Sequence, residues 1–450
     1  KATSNICTNQ GLMALAATVL LLSASSTANG QLEEGSPGLS DQPQPDAAQT
    51  DKRAVRHAPE QRPPGFIDVR AGTVMVEGYE GEQAVAGYEP SPVNGFYVQS
   101  RNGDFRLQLG GFTQIRWNAN WRSAPGTVDG VVDDQDFTRG WSMNRTRLFL
   151  EGKFTDRAAY HFRININDSY NVELLVAWAQ IKLRKRWSLR VGKQFIPLSR
   201  EDWMYAQDVL TSEYSPNDFT FAIGPSLGVF AHYGGWRHRV WIAVHNGAFG
   251  GRDVFPQAEE TDIAGTVRWE WNFVGDDWSV WNDMVGRRGR QKVMMLGVSA
   301  AGQGNPGRDS NGTKAAGQLN FDLNFNGSGY QAVLAGSSTI VRPVGGSTYA
   351  NFGLLAQVGV FLIDPLQLFT QYNFISPGTQ EGDFESFNSL ALGMNYFPFL
   401  WTNRWKLTLE GGVLFNALNN TLVQPSGSLG LLASNEAPQG YLRVQAQFGF

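Results

Sequence analysis

The chain has 450 residues, a formal net charge of −4 and one cysteine, so it can hold one large or two to three ordinary domains and excludes neither sign of charged partner. Hydrophobic residues make up 42%, too few for a bundle of membrane helices, and after residue 30 no run of about 18 consecutive apolar residues occurs. Aromatics at 12% and 51 glycines are instead the residues that barrels place in interface belts, turns and bends.

In chain order, Lys1 precedes an apolar run, "GLMALAATVLLLSASS" from Gly11 to Ser26, followed by the small residues "TANG". This is the layout of a signal peptide over residues 1–30, with cleavage near Ala28 or Gly30 and export as its consequence. Cys7 lies before the apolar run, so it cannot accept a lipid anchor, and the exported chain would contain no cysteine. Gln31 to Pro64 is rich in Pro, Gln, Asp and Ala, lacks aromatics, and reads as a disordered linker. Gly65 to Asn94 carries "VEGYEGEQ" and "VAGYEPSP", which suit short strands or loop equally. Residues 31–94 together are expected to be a periplasmic linker or N-terminal segment.

From Phe105 to Arg122, "FRLQLGGFTQIRWNANWR", apolar and polar residues alternate over eighteen positions. Successive strand side chains point to opposite sides, so Leu107, Leu109, Ile115, Trp117 and Trp121 share a greasy face and Arg106, Gln108, Gln114, Arg116, Asn120 and Arg122 a wet one. About sixteen such segments follow one another, divided by Gly, Asn, Asp and Pro turns: 105–122, 140–154, 158–167, 172–183, 187–195, 226–234, 236–248, 261–274, 291–301, 315–326, 330–341, 349–363, 366–374, 386–397, 404–415 and 441–450. A two-layer sandwich would satisfy the same alternation. Three features favour a membrane barrel: strands longer than sandwiches use, no second layer to cover so much sheet, and aromatics such as Trp117, Trp121, Trp269, Trp271, Trp405, Tyr396 and Phe448 at strand ends, where headgroups accept amphipathic rings. The expected fold is all-β: a transmembrane antiparallel β-barrel of about sixteen strands over residues 95–450, preceded by the signal peptide and linker. The terminal Phe450, on a strand with apolar residues at every second place, resembles the C-terminal signal of bacterial outer-membrane barrels.

The lead "GFYVQSRNGDFRLQLGGFTQIRW", the strand "WSMNRTRLFLEGKF" and the stretch "WSLRVGKQFIPLSRED" resemble the phosphate-selective porin family, porins O and P. The likeness runs from about Gly95 to Phe450 and is strongest before Ala248. It implies a sixteen-stranded, homotrimeric channel of the bacterial outer membrane, lined by arginines and narrowed by inward-folded loops.

On the wet face the alternation places Arg106, Arg116, Arg122, Arg145, Arg147, Arg163, Arg190, Arg239, Arg268, Lys406 and Arg443, against the acids Glu151, Asp262, Glu270, Asp322 and Glu410. Guanidinium groups stay charged and offer fixed donors, which suits anions; they could equally pair with lumen acids and stiffen the wall. The connection Ile196 to Pro225 is expected to fold inward as the constriction loop, with Arg200 but also Glu201, Asp202, Asp208, Glu213 and Asp218, and no lysine. One cation against five acids makes a poor phosphate trap, so a broader small-solute channel is expected. Trp203, Tyr205, Tyr214, Phe219 and Phe221 would pin that loop to the wall rather than stack on sugars.

Other motifs are weak. "DGVVDDQD", with Asp129, Asp133, Asp134 and Asp136, lacks the Gly and distal Glu of a calcium loop. His238 and His245 are an odd number of residues apart on one strand and face opposite sides, so they and His232 share no metal. "GQGNPGRDSNG" has no Lys-Ser/Thr and reads as a turn. No cofactor, metal, nucleic-acid or catalytic motif is found; a barrel hydrolase using His161 or His245 is the weakest alternative. The sequence therefore predicts a passive porin for small hydrophilic solutes with an anion preference, the alternative being a structural barrel that anchors the 31–94 segment. Its partners would be outer-membrane lipid, small solutes and copies of itself.

Overall fold

The computed structural model describes residues 74–77, 83–88, 95–100, 102–122, 126–128, 131–133, 136–166, 171–184, 186–247, 263–304, 313–378, 386–399, 402–416, 431–432 and 438–450. The expected signal peptide, the 31–64 linker, Asp129, Asp134, Asp262 and most of the glycine-rich 302–312 stretch lie outside these residues.

Sixteen antiparallel strands close on themselves. They are β4 (Arg106–Arg122), β7 (Phe137–Thr155), β8 (Ala158–Ile166), β9 (Val172–Lys182), β10 (Trp187–Phe195), β11 (Pro225–Gly234), β12 (His238–His245), β13 (Ile263–Val274), β14 (Val293–Gly304), β15 (Thr313–Gly327), β16 (Tyr330–Pro343), β17 (Tyr349–Ile363), β18 (Leu366–Ser376), β19 (Phe387–Tyr396), β20 (Lys406–Leu414) and β21 (Gln439–Gly449). Each pairs with its neighbour in sequence, and the last pairs with the first, from Gln439 opposite Arg122 to Gly449 opposite Phe112. Phe450 completes the seam: its N–H donates to the Gly111 carbonyl at 3.0 Å, and the Gly111 N–H to its own carbonyl at 3.2 Å. Closure leaves no free edge, which in hydrocarbon would strand a row of unpaired N–H and C=O groups.

The segment before the barrel contains strand rather than loop. β1 (Val74–Glu77), β2 (Gln83–Tyr88) and β3 (Phe96–Ser100) form an antiparallel meander, and β3 pairs with β4 from Phe96 opposite Leu109 to Gln99 opposite Arg106. It takes the place beside β4 that β21 vacates below Phe112. A further hairpin, β5 (Gly126–Val128) with β6 (Val131–Asp133), sits in the β4–β7 connection and holds Asp133, so the DGVVDDQD stretch is strand in part.

Connections at the two ends differ in length. At one end most are tight, residues 156–157, 328–329 and 364–365 among them; the β15–β16 turn takes φ of 137°, 55° and 97° at Gly327, Ser328 and Gly329, the positive values that a two-residue hairpin matching strand twist requires. At the other end, connections of up to 29 residues (196–224) occur. Short turns mark the periplasmic side of such barrels and long loops the outside.

Burial runs opposite to that of a soluble protein. On β15, Leu319 and Phe321 are exposed while Gln318, Asn320, Asp322, Asn324 and Asn326 are buried; on β4, Leu109, Ile115 and Trp121 are exposed while Gln114 and Arg116 are fully buried. Phe112, the one large apolar residue on the wet side of that strand, is buried within. A sandwich would have hidden the apolar set, so the greasy faces belong to lipid. Aromatics gather near the strand ends, as in the row His238, Trp269, Trp271 and Phe273, with successive ring centroids 5.4–6.1 Å apart. Among the described residues no helix is long and apolar enough to cross a membrane. Leu392, 58% exposed at the middle of β19, tests whether the greasy face meets lipid: Leu392→Arg should cost about 2–4 kcal/mol of barrel stability, measured as urea unfolding in lipid vesicles, whereas a solvent-facing site would lose almost nothing.

Candidate functional site in the barrel lumen

Nine of the ten arginines expected on the wet face are buried inside the barrel: Arg116, Arg122, Arg145, Arg147, Arg163, Arg190, Arg239, Arg268 and Arg443, with Lys406 beside them. Arg106 differs. It is half-buried at the β4 terminus, its guanidinium 4.5 Å over the ring of Tyr97 in β3, because the meander rather than the lumen covers it.

The connection 196–224 between β10 and β11 folds into the barrel, and Arg200, Glu201, Asp202 and Asp208 are all buried in it. Two short helices shape it: α1 (Arg200–Trp203), capped by Ser199, and α2 (Pro216–Phe221), where Ser215 Oγ accepts from Asp218 N at 3.0 Å and Pro216 occupies the first turn. The loop's acids are used internally instead of facing solute. Ser215 donates its N–H and its hydroxyl to the two oxygens of Glu201 at 2.7 and 2.6 Å; Ser199 Oγ donates to Asp218 at 3.0 Å; Gly224 N donates to Asp202 at 3.2 Å. Arg200 is spent as well, donating to the Trp281 carbonyl and the Asn324 side chain. Counting one cation against five acids therefore misjudged the loop, since these groups satisfy one another and the wall.

The wall grips the loop's backbone from many strands. Arg268 reaches the Leu198 carbonyl at 2.9 Å, Gln114 that of Ala206 at 3.2 Å, Lys406 that of Val209 at 2.8 Å and Asn395 that of Leu210 at 2.8 Å. Buried carbonyls must be paired, and the polar lumen supplies the donors. Glu213 is the far anchor: it accepts from Arg116 at 2.9 Å, from Asn144 at 2.9 Å and from Arg145. Burial alone would raise its pKa, but Arg145 and Arg116 outweigh burial and hold it at about 2. The loop aromatics act mainly as pins. Trp203 lies 4.7 Å from Trp241 and 5.6 Å from Trp281, and Phe221 is buried among Ile375, Phe387, Ala391, Leu414 and Tyr441.

A second inward segment escaped the sequence reading. Residues 275–292, between β13 and β14 at the short-turn end, enter the lumen and bury Val280, Trp281, Met284 and Val285. Met204 and Val209 of the first loop join Val280, Trp281, Met284, Val293, Met295 and Val333 in one apolar cluster. The two segments meet where Met284 N donates to the Asp208 carbonyl at 3.2 Å and Asn403 Nδ2 approaches both Asp208 and Asp283, at 3.2 and 3.1 Å. The signal was present: an eighteen-residue gap rich in Trp, Val and Met stands where neighbouring turns need two to four residues.

Burial first, then Asp283, pushes the Asp208 carboxyl up to about 7, and burial pushes Glu201 to about 7 as well. Their ordinary values are 3.8 and 4.5, so the folded loop keeps protons there that a released loop gives up. The contribution of these two carboxyls to loop docking is fully present below their ordinary values and is lost as pH rises through about 7. Single-channel records should accordingly show more loop-opening noise at about pH 8 than at about pH 5.

Eight of these nine lumen arginines, all but Arg122, fall into two groups. One is neutralised: Arg116 and Arg145 by Glu213, Arg268 by Glu270 at 2.8 Å and Asp322 at 2.6 Å, and Arg443 by Glu410 at 3.2 Å. In the other, Arg147, Arg163, Arg190 and Arg239 form no ion pair among the described residues. Arg147 donates to Asn165 at 3.3 Å; Arg190 donates to Gln180 and Gln194 and lies 3.9 Å over Trp178; Arg163 lies 4.0 Å over Tyr205, and Arg239 4.0 Å over Trp278. The nearest acids are occupied: Glu151 by His161 at 3.0 Å, and Glu270, opposite Arg239, by Arg268. Both readings of the arginines thus hold, for different residues.

His245 faces inward, 2.9 Å from Thr266 Oγ1, and His238 outward between two indoles, while His232 stacks on Trp241 at 4.0 Å. Among the described residues no group of three His, Cys, Asp or Glu side chains could hold a metal.

Residues 115–277 match the family described as phosphate-selective porin O and P. No curated relative matches the sequence. Among solved structures, the anion-selective porin from Comamonas acidovorans is similar over 76% of this chain and 99% of its own, at 12% identity and a TM-score of 0.53. The outer-membrane channel DcaP of Acinetobacter baumannii covers 78% of this chain and 99% of its own at 13% identity and a TM-score of 0.48. At such identities structural likeness speaks for the fold only. The closed sixteen-stranded barrel and the family match over residues 115–277 support an outer-membrane channel for passive diffusion.

Proposed function

Taking the chain as an outer-membrane porin, we propose that it passes small hydrophilic solutes with a preference for anions, and that Arg147, Arg163, Arg190 and Arg239 carry that preference. The observation behind this is that these four buried cations form no ion pair among the described residues, while Arg116, Arg145, Arg268 and Arg443 are matched by acids. An anion at the narrowest point loses hydration, and guanidinium N–H groups replace it. Two inward segments fill much of the lumen, so the conductance should be small compared with that of an open sixteen-stranded barrel. Planar-bilayer recording in a KCl gradient tests both points: reversal toward the chloride potential is expected, cation selectivity would refute the anion reading, and no current at all would favour the anchoring barrel.

We further propose that residues 1–30 direct export, that residues 31–94 lie in the periplasm and that the barrel assembles as a homotrimer, as the family resemblance implies. Cross-linking in detergent should then give a band of three chains.

A further inference from the structure

We propose that the solutes this arginine face takes best are flat organic anions, aromatic carboxylates above all, rather than inorganic phosphate. This rests on the anion-preferring reading and sharpens it.

Three of these four arginines are set in aromatic surfaces. Arg190 lies between Trp178 at 3.9 Å and Trp241 at 5.3 Å; Arg163 lies on Tyr205 and Arg239 on Trp278, each at 4.0 Å. With its face against a ring, a guanidinium offers its in-plane N–H edge to solute. At three of the four a donor is left unpaired: Nε of Arg163, Nε of Arg239 and Nη1 of Arg147 are buried and have no acceptor, whereas the nitrogens of Arg190 are taken by Gln180 and Gln194. A buried donor left unpaired is costly, so an incoming oxygen is favoured at each.

The same surroundings discriminate among anions. Phosphate is tetrahedral and strongly hydrated, and shedding that water requires donors on every side. Here the space beside each guanidinium edge is bounded by ring faces, whose quadrupole is negative toward an approaching anion, and the inward loop contributes no lysine. A planar carboxylate instead meets the guanidinium edge with two parallel hydrogen bonds, while the ring behind it stacks offset on the neighbouring indole or phenol. The charge is satisfied at the edge and the body on the face. A saturated carboxylate of equal size gains the first contact and only part of the second.

The test is block of the chloride current by the full-length protein in planar bilayers, with benzoate, cyclohexanecarboxylate and inorganic phosphate as probes. Benzoate should block at about tenfold lower concentration than phosphate, and at about threefold lower concentration than cyclohexanecarboxylate. Trp278→Leu, beside Arg239, should bring the benzoate-to-cyclohexanecarboxylate ratio toward one; should that variant fail to insert, Tyr205→Leu serves for the same ratio at Arg163. Phosphate blocking as well as benzoate, or equal block by the two carboxylates in the wild-type protein, overturns the proposal. A reversal potential on the potassium side would instead defeat the anion preference beneath it, so the two failures are told apart.

Discussion

Glu213→Gln should detach the inward loop from the β4–β7 wall and raise anion selectivity in the same protein. Glu213 accepts from Arg116, Arg145 and Asn144, and the side chains of the ion pairs are at most 7% exposed. Removing one partner of such a buried pair strands the other's charge and costs about 3–5 kcal/mol. The partners described for Arg116 besides Glu213 are Gln445 and the Ser212 carbonyl, and those for Arg145 are Gln114 and the Tyr214 ring, all neutral. The net charge of the site then rises by one unit; at about 5 Å in water this favours an anion by about 0.8 kcal/mol and disfavours a cation by as much, a combined change on the order of tenfold in the chloride-to-potassium ratio. Glu213→Asp keeps the charge with a shorter reach and should lie between. Acid should reproduce the effect: the carboxylate, held at about 2 against an ordinary 4.5, contributes docking stability present above about pH 4.5 and lost as pH falls toward 2. Unchanged loop noise and unchanged reversal potential in Glu213→Gln would show that the anchor is elsewhere.

What the sequence reveals about this barrel, and what it hides, follows from how far each signal travels along the chain. Side-chain alternation is local, so all sixteen strands can be read directly, with β10 and β17 found at their structural bounds. Shorter strands blur, as β12 spans His238–His245 where the pattern runs from Trp236 to Ala248, because flanking residues such as Arg237 and Asn246 continue the alternation by chance. The identity of the solvent on the apolar side is a longer-range fact, and strand length and missing cover settle it indirectly. The lumen partners are not legible. Arg145 and Arg147 are two residues apart on one face, yet Glu213, brought from 66 or more positions away, neutralises only the first. Composition treats both as equal. The inward course of residues 275–292 was hidden for a related reason: apolar residues in a connection are ordinarily read as turn filler, and only the apolar cluster formed with Met204 and Val209 gives them a core to join.

Replacing Arg147, Arg163, Arg190 and Arg239 together by Gln should abolish the anion preference while the barrel still closes. None of the four carries an ion pair, so the substitution strands no acid, and their amide partners Asn165, Gln180 and Gln194 can pair with a Gln side chain. The electrostatic loss can be sized. For an anion passing with two of these charges at about 5 Å and two at about 10 Å, water-like screening gives about 2.5 kcal/mol in all, or on the order of fifty- to a hundredfold in chloride entry alone, with potassium shifted the opposite way. Salt separates this from a change in pore shape: with a Debye length of about 10 Å at 0.1 M and about 3 Å at 1 M, the gap between wild type and variant should shrink sharply in concentrated KCl. A steric effect would persist at both concentrations. Should the quadruple variant retain the wild-type ratio in dilute salt, the paired arginines, or charges at the pore mouths, set the selectivity and the aromatic-bedded four merely stiffen the wall.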